Sequence, residues 1–437
     1  INAGRIRFCI SASHTDEDIE KCFNVTMQAM NEVGCVFGDT PMPANIYKAP
    51  IVDLAKLENL PKNPRKMVPL WENSDKRSIH PEPLVPKGID LVSYDLHDYA
   101  HDKERESKMI NVLNIYGCGS CGPRGFYGGT MEHLNLEEEL KKVYDVNDAV
   151  VYSYGNNTMT SVIPVYARKG NVVLVDEFCN YPIQLGCRLS RAKIIKYKHN
   201  NVDDLKNKLE DAKKTLAYNA LISIVTEGVF QHDLSISPLK EISKLRSSNV
   251  QLIVDDSLGV GCLGANLKGT VEYQGLTMKD IDILCASLEF ICDSVGGFVV
   301  GKYSVIDKQR LLGNGYTFSA SAPPFTCTAA KYAIEDFARR GTKLSIELTE
   351  RRNLFNSIVK ETNKVKIIGN EVLPYVLLNC EGKNEELVRK LRDKDFYVCT
   401  QHHLEEDWCK NNYVRVNLSK NFTEERMKEF ANVLSQM

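Results

Sequence analysis

Short apolar runs alternate with helically spaced segments along most of the chain from Val143 onward. The apolar runs are continuous, which is typical of parallel strands that are buried on both faces of a sheet. The segments between them, such as Val202–Lys214 and Leu239–Ser247, repeat apolar residues at the spacing of one helix face. The pattern therefore predicts an α/β fold with a mostly parallel sheet. The predicted strands are Ala149–Tyr152, Val172–Val175, Ile194–Tyr197, Leu221–Thr226, Gln251–Val254, Ile283–Ala286 and Gly297–Val300.

The pattern changes after Pro323 and Pro324. One long helical pattern runs from Thr326 to Thr362, and shorter α and β elements follow it to the end of the chain. We predict a large domain over residues 91–325 and a smaller α+β subdomain over residues 326–437.

The two ends of the chain resemble each other. Residues 5–25 and 413–433 both combine an alternating strand with a helix that follows a threonine, Thr15 in one copy and Thr423 in the other. Threonine is a favourable N-cap, and both copies place acidic residues in the first helical turn. We interpret residues 1–37 as the C-terminal strand and helix of a preceding module. The alternative is a chance match, since strand–cap–helix units are common.

Residues 38–90 are rich in proline, which breaks both helices and strand ladders. We predict that this segment is a linker between the two modules. Its prolines are Pro41, Pro43, Pro50, Pro61, Pro64, Pro69, Pro81, Pro83 and Pro86.

Charge and composition exclude several kinds of protein. The formal net charge is -2, with 55 Lys+Arg against 57 Asp+Glu, so we expect no nucleic-acid partner. No apolar run approaches the roughly 20 residues of a membrane span, and no signal peptide follows Ile1. Because the chain starts at Ile1 instead of methionine, we expect it to be a piece of a longer protein.

The 14 cysteines are scattered along the chain. Cys118 and Cys121 form a C-x-x-C pair, but the second pair that a zinc ribbon requires is missing. We therefore predict free thiols in a reducing compartment and no metal site, with a redox pair as the alternative.

Polar residues follow three of the predicted strands. They begin at Ser153, Asp176 and Asp255. Because ligands of parallel sheets bind at the carboxyl ends of the strands, these residues are candidates for a site. Each carboxylate could equally be a helix cap or a turn former.

The segment Tyr116–Gly128, followed by Glu132–Glu137, closely resembles the glycine-rich segment of the α-oxoamine synthases, which are pyridoxal-phosphate enzymes of aminotransferase-like fold. Its part Cys121–Gly128 is similar to the non-catalytic subunits of serine palmitoyltransferases. Thr317–Pro324 is similar to the interface loop of the same family. The resemblance covers about residues 80–437 and implies a fold type I large domain.

Residues Arg5–Thr15 instead resemble the C-terminal strand and helix of the catalytic subunit in this family. Single-chain members carry a catalytic half followed by a non-catalytic half. The resemblance thus implies the tail of a catalytic half, a linker and a complete non-catalytic half.

The resemblance also implies that the Schiff-base lysine is missing. Its position falls at Phe290, and no lysine occurs between Lys279 and Lys302. No other side chain forms an internal aldimine, so we predict no catalytic residue in this chain. The remaining cofactor positions are implied as remnants and fall at Gly155, Asn156, Asn180 (for the stacking histidine), Asp255, Leu258 (for a second histidine) and Ser287 (for a threonine).

A second set of residues is implied to face the cofactor site of a partner. These residues are Cys121, Arg124, Tyr127, His133, Ser319 and Ser321. Two of them have a simpler interpretation, because His133 lies among apolar neighbours at a predicted helix start and Arg124 could order the glycine-rich loop.

The expected function is that of the non-catalytic half of a serine palmitoyltransferase. The assembly would condense L-serine with palmitoyl-CoA to 3-ketosphinganine, CoA and CO2, with pyridoxal phosphate bound by a lysine-bearing partner. The resemblance implies a location at the cytosolic face of the endoplasmic-reticulum membrane. The alternatives are a catalytically competent homodimeric α-oxoamine synthase and an interaction protein outside sphingolipid synthesis.

Overall fold

The computed structural model describes residues 15–32, 88–215, 220–290, 292–401 and 413–437. Contacts divide the chain into two units, Ile1–Glu82 and Pro83–Met437. The strand expected at residues 5–11 and most of the expected linker lie outside the described residues.

The first unit is described by one helix, α1 (Asp16–Glu32). The Thr15 hydroxyl accepts a hydrogen bond from the Asp18 backbone N–H at 3.2 Å, which confirms the predicted N-cap. No residue described in α1 is buried. The apolar side chains of Phe23 and Val25 are 62% and 59% exposed.

The second unit contains twelve further α-helices among its described residues. They are α2 (Lys103–Tyr116), α3 (Met131–Tyr144), α4 (Gly155–Tyr166), α5 (Tyr181–Ser190), α6 (Val202–Thr215), α7 (Leu239–Ile242), α8 (Thr270–Tyr273), α9 (Tyr303–Leu312), α10 (Asn314–Thr317), α11 (Pro324–Lys360), α12 (Asn384–Arg392) and α13 (Glu424–Ser435). Single 3₁₀ turns lie at Tyr99–His101 and Ser243–Leu245.

Thirteen strands are described in the same unit. They are β1 (Ile89–Asp90), β2 (Asp148–Tyr152), β3 (Val172–Asp176), β4 (Lys193–Tyr197), β5 (Ile222–Glu227), β6 (Val250–Asp255), β7 (Ile283–Ser287), β8 (Gly297–Gly301), β9 (Lys366–Ile368), β10 (Tyr375–Asn379), β11 (Phe396–Tyr397), β12 (Cys399–Gln401) and β13 (Tyr413–Asn417). The seven strands predicted from apolar runs are all present, as β2 to β8.

A seven-stranded sheet forms the centre of the unit, in the order β2-β8-β7-β6-β5-β3-β4. Neighbours from β7 to β4 run parallel, whereas β8 is antiparallel to both β7 and β2. This confirms the predicted α/β fold with a mostly parallel sheet.

Both faces of the sheet are buried, which explains why its strands are apolar without alternation. In β3, Val172 and Leu174 point into one hydrophobic core, and Val173 and Val175 point into the core on the opposite face. Each of these side chains is almost completely buried, and such burial stabilises the fold by about 1.5–3 kcal/mol per aliphatic residue.

The 37-residue helix α11 links the large sheet to the small subdomain. It begins at Pro324, where the fixed φ of proline suits the first turn and the missing N–H is not needed. Its first half buries residues such as Phe337 in the core of the large sheet, and its last turns bury Phe355 and Val359 in the core of the subdomain.

The small subdomain is built on a four-stranded antiparallel sheet in the order β12-β13-β10-β9. The Thr423 hydroxyl accepts a hydrogen bond from the backbone N–H of Arg426 and caps α13, as predicted. Strand β1 pairs in parallel with β11, with Ile89 opposite Phe396, and the side chain of Leu91 lies in the subdomain core. The ordered pairing therefore includes Ile89 and Asp90, the last residues of the segment expected to be a linker.

No helix among the described residues combines the length and the apolar composition that a membrane span requires.

Candidate functional site

The carboxyl ends of β5, β6 and β7 bring several polar side chains together. Asp255 closes β6 and is 5% exposed. Its Oδ1 accepts hydrogen bonds from the Ser257 backbone N–H (3.1 Å) and hydroxyl (2.5 Å), and its Oδ2 accepts one from Asn180 Nδ2 at 3.0 Å. Burial raises the pKa of Asp255 above its ordinary value. The carboxylate is thus held by contacts within the chain.

Asn180 and Glu227 continue this arrangement. The Asn180 side-chain oxygen caps α5 by accepting from the Ile183 N–H at 3.1 Å, and the Asn180 backbone N–H donates to Glu227 Oε1 at 2.7 Å. Burial, reinforced by the nearby Asp255, raises the pKa of Glu227 well above its usual range. Asn180 therefore serves as a helix cap and as a neutral partner between two buried carboxyl groups.

The end of β7 joins the same set of contacts. The Ser287 backbone N–H donates to Ser257 Oγ at 2.8 Å, and the Ser287 hydroxyl accepts from the Glu289 backbone N–H at 3.0 Å. We call Asn180, Glu227, Asp255, Ser257 and Ser287 the strand-end network. It unites Asn180, Asp255 and Ser287, which the sequence suggested or implied, with Glu227 and Ser257, which it did not single out.

The first residue of α4, Gly155, lies beside this network. Its backbone N–H donates to Glu289 Oε1 at 3.0 Å. A Cβ added to Gly155 would lie 2.4 Å from Ser287 Oγ and 3.2 Å from Glu289 Oε2, so only glycine fits. The next residue, Asn156, is exposed. A carboxylate of the chain itself thus occupies the N-terminus of α4.

Phe290 follows directly and packs against Tyr94, with the two ring centroids 4.3 Å apart. Tyr94 in turn lies edge-on to Tyr375 at 5.6 Å. Arg415 on β13 covers the Tyr94 ring at 4.5 Å, and its guanidinium donates to the Tyr94 hydroxyl and to the Val92 carbonyl (3.3 Å). Phe290 is therefore one layer of a stack that continues to the small subdomain.

Asp256 and Leu258, which follow Asp255 at one and three positions, serve the core. Leu258 is 3% exposed and belongs to the hydrophobic core of the large sheet. Asp256 is completely buried and accepts hydrogen bonds of 2.6 Å from both the Thr270 N–H and the Thr270 hydroxyl. Burial raises the pKa of Asp256 to about 7. Neither side chain is available to a ligand.

In the glycine-rich segment, Arg124 forms a buried, two-pronged ion pair with Glu137 on α3, at 2.8 and 3.1 Å. Glu137 Oε1 also accepts from the Val151 backbone N–H at 2.9 Å, and the guanidinium lies 5.6 Å from the centre of the Tyr316 ring. These contacts agree with the interpretation that Arg124 orders the loop.

His133 is 1% exposed and has partners on both ring nitrogens. The Thr130 backbone N–H donates to Nδ1 at 3.2 Å, so the ring proton lies on Nε2 and is donated to the Ala322 carbonyl at 3.0 Å. Burial lowers the pKa of His133 to about 4, which keeps the ring neutral. This geometry agrees with a structural histidine that joins α3 to the loop before α11.

The remaining residues of the implied interface lie on two adjoining loops. Cys121 is exposed and has a positive φ of 56°, and Tyr127 is also exposed. Ser319 and Ser321 are half-buried, and the Ser321 backbone N–H donates to the Gly122 carbonyl at 2.8 Å. The structure therefore brings the glycine-rich loop (117–129) and the loop 318–323 into one surface.

Sequence reasoning missed one polar cluster near the strand ends. His199 Nδ1 lies 2.9 Å from Asp176 Oδ1, and its Nε2 lies 2.9 Å from Ser235 Oγ and 3.4 Å from Asp233 Oδ2. The ring stacks on Phe178 at 4.4 Å. Although the order Asp–His–Ser matches a hydrolase triad, a general base needs an unprotonated imidazole. Burial lowers the pKa of His199, but Asp176 and Asp233 outweigh it and raise the pKa to about 9, so the ring is a cation at neutral pH.

Pyridoxal phosphate needs an amine to bind its aldehyde and a site for its phosphate. Phe290 supplies no amine, and the carboxylate of Glu289 already accepts from the first N–H of α4. Asp255 could pair with a ring nitrogen, but its carboxylate oxygens already accept hydrogen bonds from Asn180 and Ser257. The residues at these positions do not fit the cofactor.

Residues 89–434 match the family of class I and II aminotransferases. Long chain base biosynthesis protein 1 of Arabidopsis thaliana is 36% identical over 301 residues, which are 67% of this chain and 62% of that protein. Serine palmitoyltransferase 1 of Dictyostelium discoideum is 31% identical over 346 residues, which are 75% of this chain and 72% of that protein. The chain spans about three fifths of the length of the plant relatives that it matches.

Solved structures confirm the fold. A serine palmitoyltransferase from S. paucimobilis with a bound PLP–myriocin aldimine aligns with a TM-score of 0.73 at 24% identity, over 80% of this chain and 87% of that chain. An 8-amino-7-oxononanoate synthase from Francisella tularensis aligns with a TM-score of 0.67 at 20% identity, over 80% and 97%. The predicted aminotransferase-like fold of type I is therefore confirmed. The chain belongs to the aminotransferase class I and II family and, within it, to the group that contains serine palmitoyltransferase 1 and long chain base biosynthesis protein 1.

Proposed function

We propose that this chain is the non-catalytic half of a serine palmitoyltransferase and that it supports the active site of a lysine-bearing partner. The observation that carries the proposal is Phe290, which the sequence resemblance assigns to the lysine position and which stacks on Tyr94 at 4.3 Å. In this assignment the partner holds pyridoxal phosphate and carries out the condensation of L-serine with palmitoyl-CoA. This chain contributes a folded surface to the partner's site.

The surface proposed to face the partner consists of the loops 117–129 and 318–323. Phe318 and Phe126 are 79% and 63% exposed, and Tyr127 packs edge-on against Phe126 at 5.0 Å. Exposed aromatic side chains that cluster on one surface are typical of protein–protein interfaces. Backbone and side-chain hydrogen bonds within the chain fix both loops, so the surface is formed before any partner binds.

A groove beside these loops extends the same apolar surface. It has a volume of about 410 Å³ and lies between α2 and the start of α11. Ile110 and Leu113 line it and are 49% and 41% exposed, and Phe325 lines it from α11. We assign this groove to the same partner, because its α11 wall starts two residues after loop 318–323.

We further propose that residues 1–37 are the tail of a catalytic half that precedes this one, and that residues 38–88 connect the two halves. The support is the repeat between α1 and α13. Met427 and Phe430 of α13 are buried in a hydrophobic core, whereas Ile19 and Cys22, which occupy the matching positions of α1, are exposed. An exposed apolar side is expected of an amphipathic helix whose hydrophobic core is formed by residues of the preceding half.

The experiment is co-expression of this chain with a lysine-bearing serine palmitoyltransferase subunit, followed by an assay of 3-ketosphinganine formation from L-serine and palmitoyl-CoA. We expect activity from the pair, none from this chain alone, and none from a pair whose partner has lost its Schiff-base lysine. Borohydride treatment should fix pyridoxal phosphate on the partner only. A fixed adduct on the isolated chain would favour a competent homodimer. A folded chain that neither binds the partner nor raises its activity would favour an interaction protein of another process.

We also propose that the assembly works at the cytosolic face of the endoplasmic-reticulum membrane, where its acyl-CoA substrate and lipid product partition. Membrane attachment would then come from the partner or from segments outside this chain. Cell fractionation of the co-expressed pair tests this, since the pair should sediment with endoplasmic-reticulum markers. Recovery in the soluble fraction would contradict it.

A further inference from the structure

The connection between β7 and β8 carries two neighbouring side chains, Glu289 and Phe290, that point into the chain's own strand-end region. Glu289 ends at the N-terminus of α4 and Phe290 ends on Tyr94. The two contacts are independent of each other, because one is polar and the other is aromatic.

The first contact uses a position that favours anions. The 12-residue helix α4 leaves its first N–H groups without intrahelical acceptors, and its dipole adds positive character there. Such helix starts bind phosphates. Here Glu289 Oε1 accepts from the Gly155 N–H at 3.0 Å, so the anion at the helix start is a carboxylate of the protein itself.

Little free space remains around this contact. The virtual Cβ of Gly155 lies 2.8 Å from the Ser287 Cβ and 3.2 Å from Glu289 Oε2. Ser287 cannot retreat easily, because its N–H is bonded to Ser257 and its hydroxyl to the Glu289 N–H. A phosphate group, which is larger than a carboxylate and carries more charge, requires the Glu289 side chain to leave.

The second contact is fixed from three sides. Tyr94 lies between Phe290 and Arg415, and Tyr375 meets its ring edge-on. The Arg415 guanidinium donates to the Tyr94 hydroxyl and to the Val92 carbonyl. Displacing Phe290 would therefore expose the Tyr94 ring and leave the stack without its outer layer.

We propose that Glu289 and Phe290 together form an internal plug, in which the Glu289 carboxylate replaces the phosphate of a ligand and the Phe290 ring fills the space beside it. The plug closes this chain's own cleft to phosphate-bearing aldehydes. Two features then prevent cofactor binding, the missing amine at position 290 and the Glu289 carboxylate. A lysine introduced at position 290 therefore does not restore binding while Glu289 remains. This inference concerns the chain's own cleft and holds whichever partner the chain binds.

The first test measures phosphate binding at the start of α4, in the purified 437-residue chain and its variants. Glu289→Ala should gain a phosphate-dependent rise in melting temperature of a few degrees at a phosphate concentration about ten times the Kd. The unaltered chain should show no such rise. Glu289→Gln is the matched control, because its amide oxygen still accepts from Gly155, and it should behave like the unaltered chain.

Two outcomes of this test would overturn the proposal. One is an equal phosphate response in the unaltered chain or in Glu289→Gln. The other is a folded Glu289→Ala variant that does not respond. If Glu289→Ala does not fold, Glu289→Ser replaces it, because serine is also too short to reach Gly155, and the same response is expected.

The second test measures covalent capture of pyridoxal phosphate by mass spectrometry after borohydride reduction. Phe290→Lys alone should show no adduct, whereas Glu289→Ala combined with Phe290→Lys should carry one adduct on Lys at position 290. An adduct of equal yield on the single variant would show that Glu289 does not block the cleft. Absence of the adduct from a folded double variant would refute the assignment of the cleft. Neither result depends on the activity of the assembly with its partner, so these measurements test the plug independently of the proposed function.

Discussion

At the scale of single residues, the polar side chains near the strand ends are held by hydrogen bonds within the chain. His199 is the most informative, because its pKa is raised although burial alone would lower it. Asp176 and Asp233 bind its two ring nitrogens. The nearby His232 differs, because burial lowers its pKa.

The stability contributed by His199 should decrease as the pH rises. Its pKa in the folded chain is about 9, above the ordinary histidine value of 6.5, so the stabilisation is complete below pH 6.5 and is lost as the pH passes 9. Because the ring is only partly buried, solvent screening reduces the corresponding stabilisation to roughly 1–2 kcal/mol. Urea unfolding at several pH values measures it. His199→Gln should remove most of the decline in this window, and an unchanged slope would contradict the assignment.

Arg124 provides a second prediction at this scale. Removing one partner of a buried ion pair leaves the other charge unpaired and costs about 3–5 kcal/mol. Arg124→Met should therefore lower the free energy of unfolding by this amount, measured by urea denaturation. Because the cost comes from the stranded Glu137, the double variant Arg124→Met with Glu137→Gln should lose much less than the sum of the two single variants. Additive losses would show that the pair is not coupled.

Several residue contacts could not be predicted from the sequence. The sequence placed Asp255 and Ser287 at the strand ends, but the Gly155–Glu289 contact joins residues 134 positions apart. Tyr94 lies in a segment before the first strand of the large sheet, so no local pattern connects it with Phe290 or Arg415. His133 was interpretable, because a polar residue among apolar neighbours at a helix start favours a buried, bonded side chain. The sequence thus predicted which residues lie at the strand ends, but it did not predict which side chains contact each other.

At the scale of elements, the strands of the large sheet were the most predictable part. Their apolar runs are continuous because both faces are covered, and β3, β5 and β6 begin and end within one or two residues of the predicted bounds. Helix α11 also agrees, since its pattern is long and Pro323 and Pro324 mark its start. The helix predicted over Leu239–Ser247 is instead the short helix α7 and a 3₁₀ turn, which end at Leu245. The pairing of β1 with β11 was not predictable, because its two strands are only two residues long.

The approach of β7 to α4 gives a prediction for this scale. Gly155→Ala would place a methyl group 2.4 Å from Ser287 Oγ, so the strand end and the helix start must separate. We expect a loss of about 1–3 kcal/mol in the free energy of unfolding, as for other overpacked sites. Gly125→Ala is the matched control, because its nearest neighbour is 3.8 Å away and ordinary contact results. Equal losses for both variants would contradict the close approach.

At the scale of the whole molecule, one surface combines exposed aromatic side chains with a rigid backbone. Loop 318–323 is fixed to the glycine-rich loop by the Ser321–Gly122 bond and to α3 by His133. Rigid loops lose little entropy on association, which favours a preformed interface.

Phe318→Asp should weaken binding to a lysine-bearing partner at least tenfold without changing the melting temperature of this chain, because the side chain is 79% exposed. Co-purification and titration of the two purified subunits measure the change. Tyr273→Asp is the control, since Tyr273 is also exposed but lies on α8. The proposed interface would be rejected if both variants reduced binding equally.

The antiparallel strand β8 helps to explain how a chain can keep this fold and lose its catalytic chemistry. Because β7 and β8 are hydrogen-bonded neighbours of opposite direction, they are the two strands of a hairpin, which pairs Ser287 with Gly297 at its closed end. A hairpin is a local pairing, and local pairings form early in folding. The register of this hairpin is set by the backbone hydrogen bonds of its two strands, so a lineage can replace a reactive side chain at this connection and still keep the scaffold.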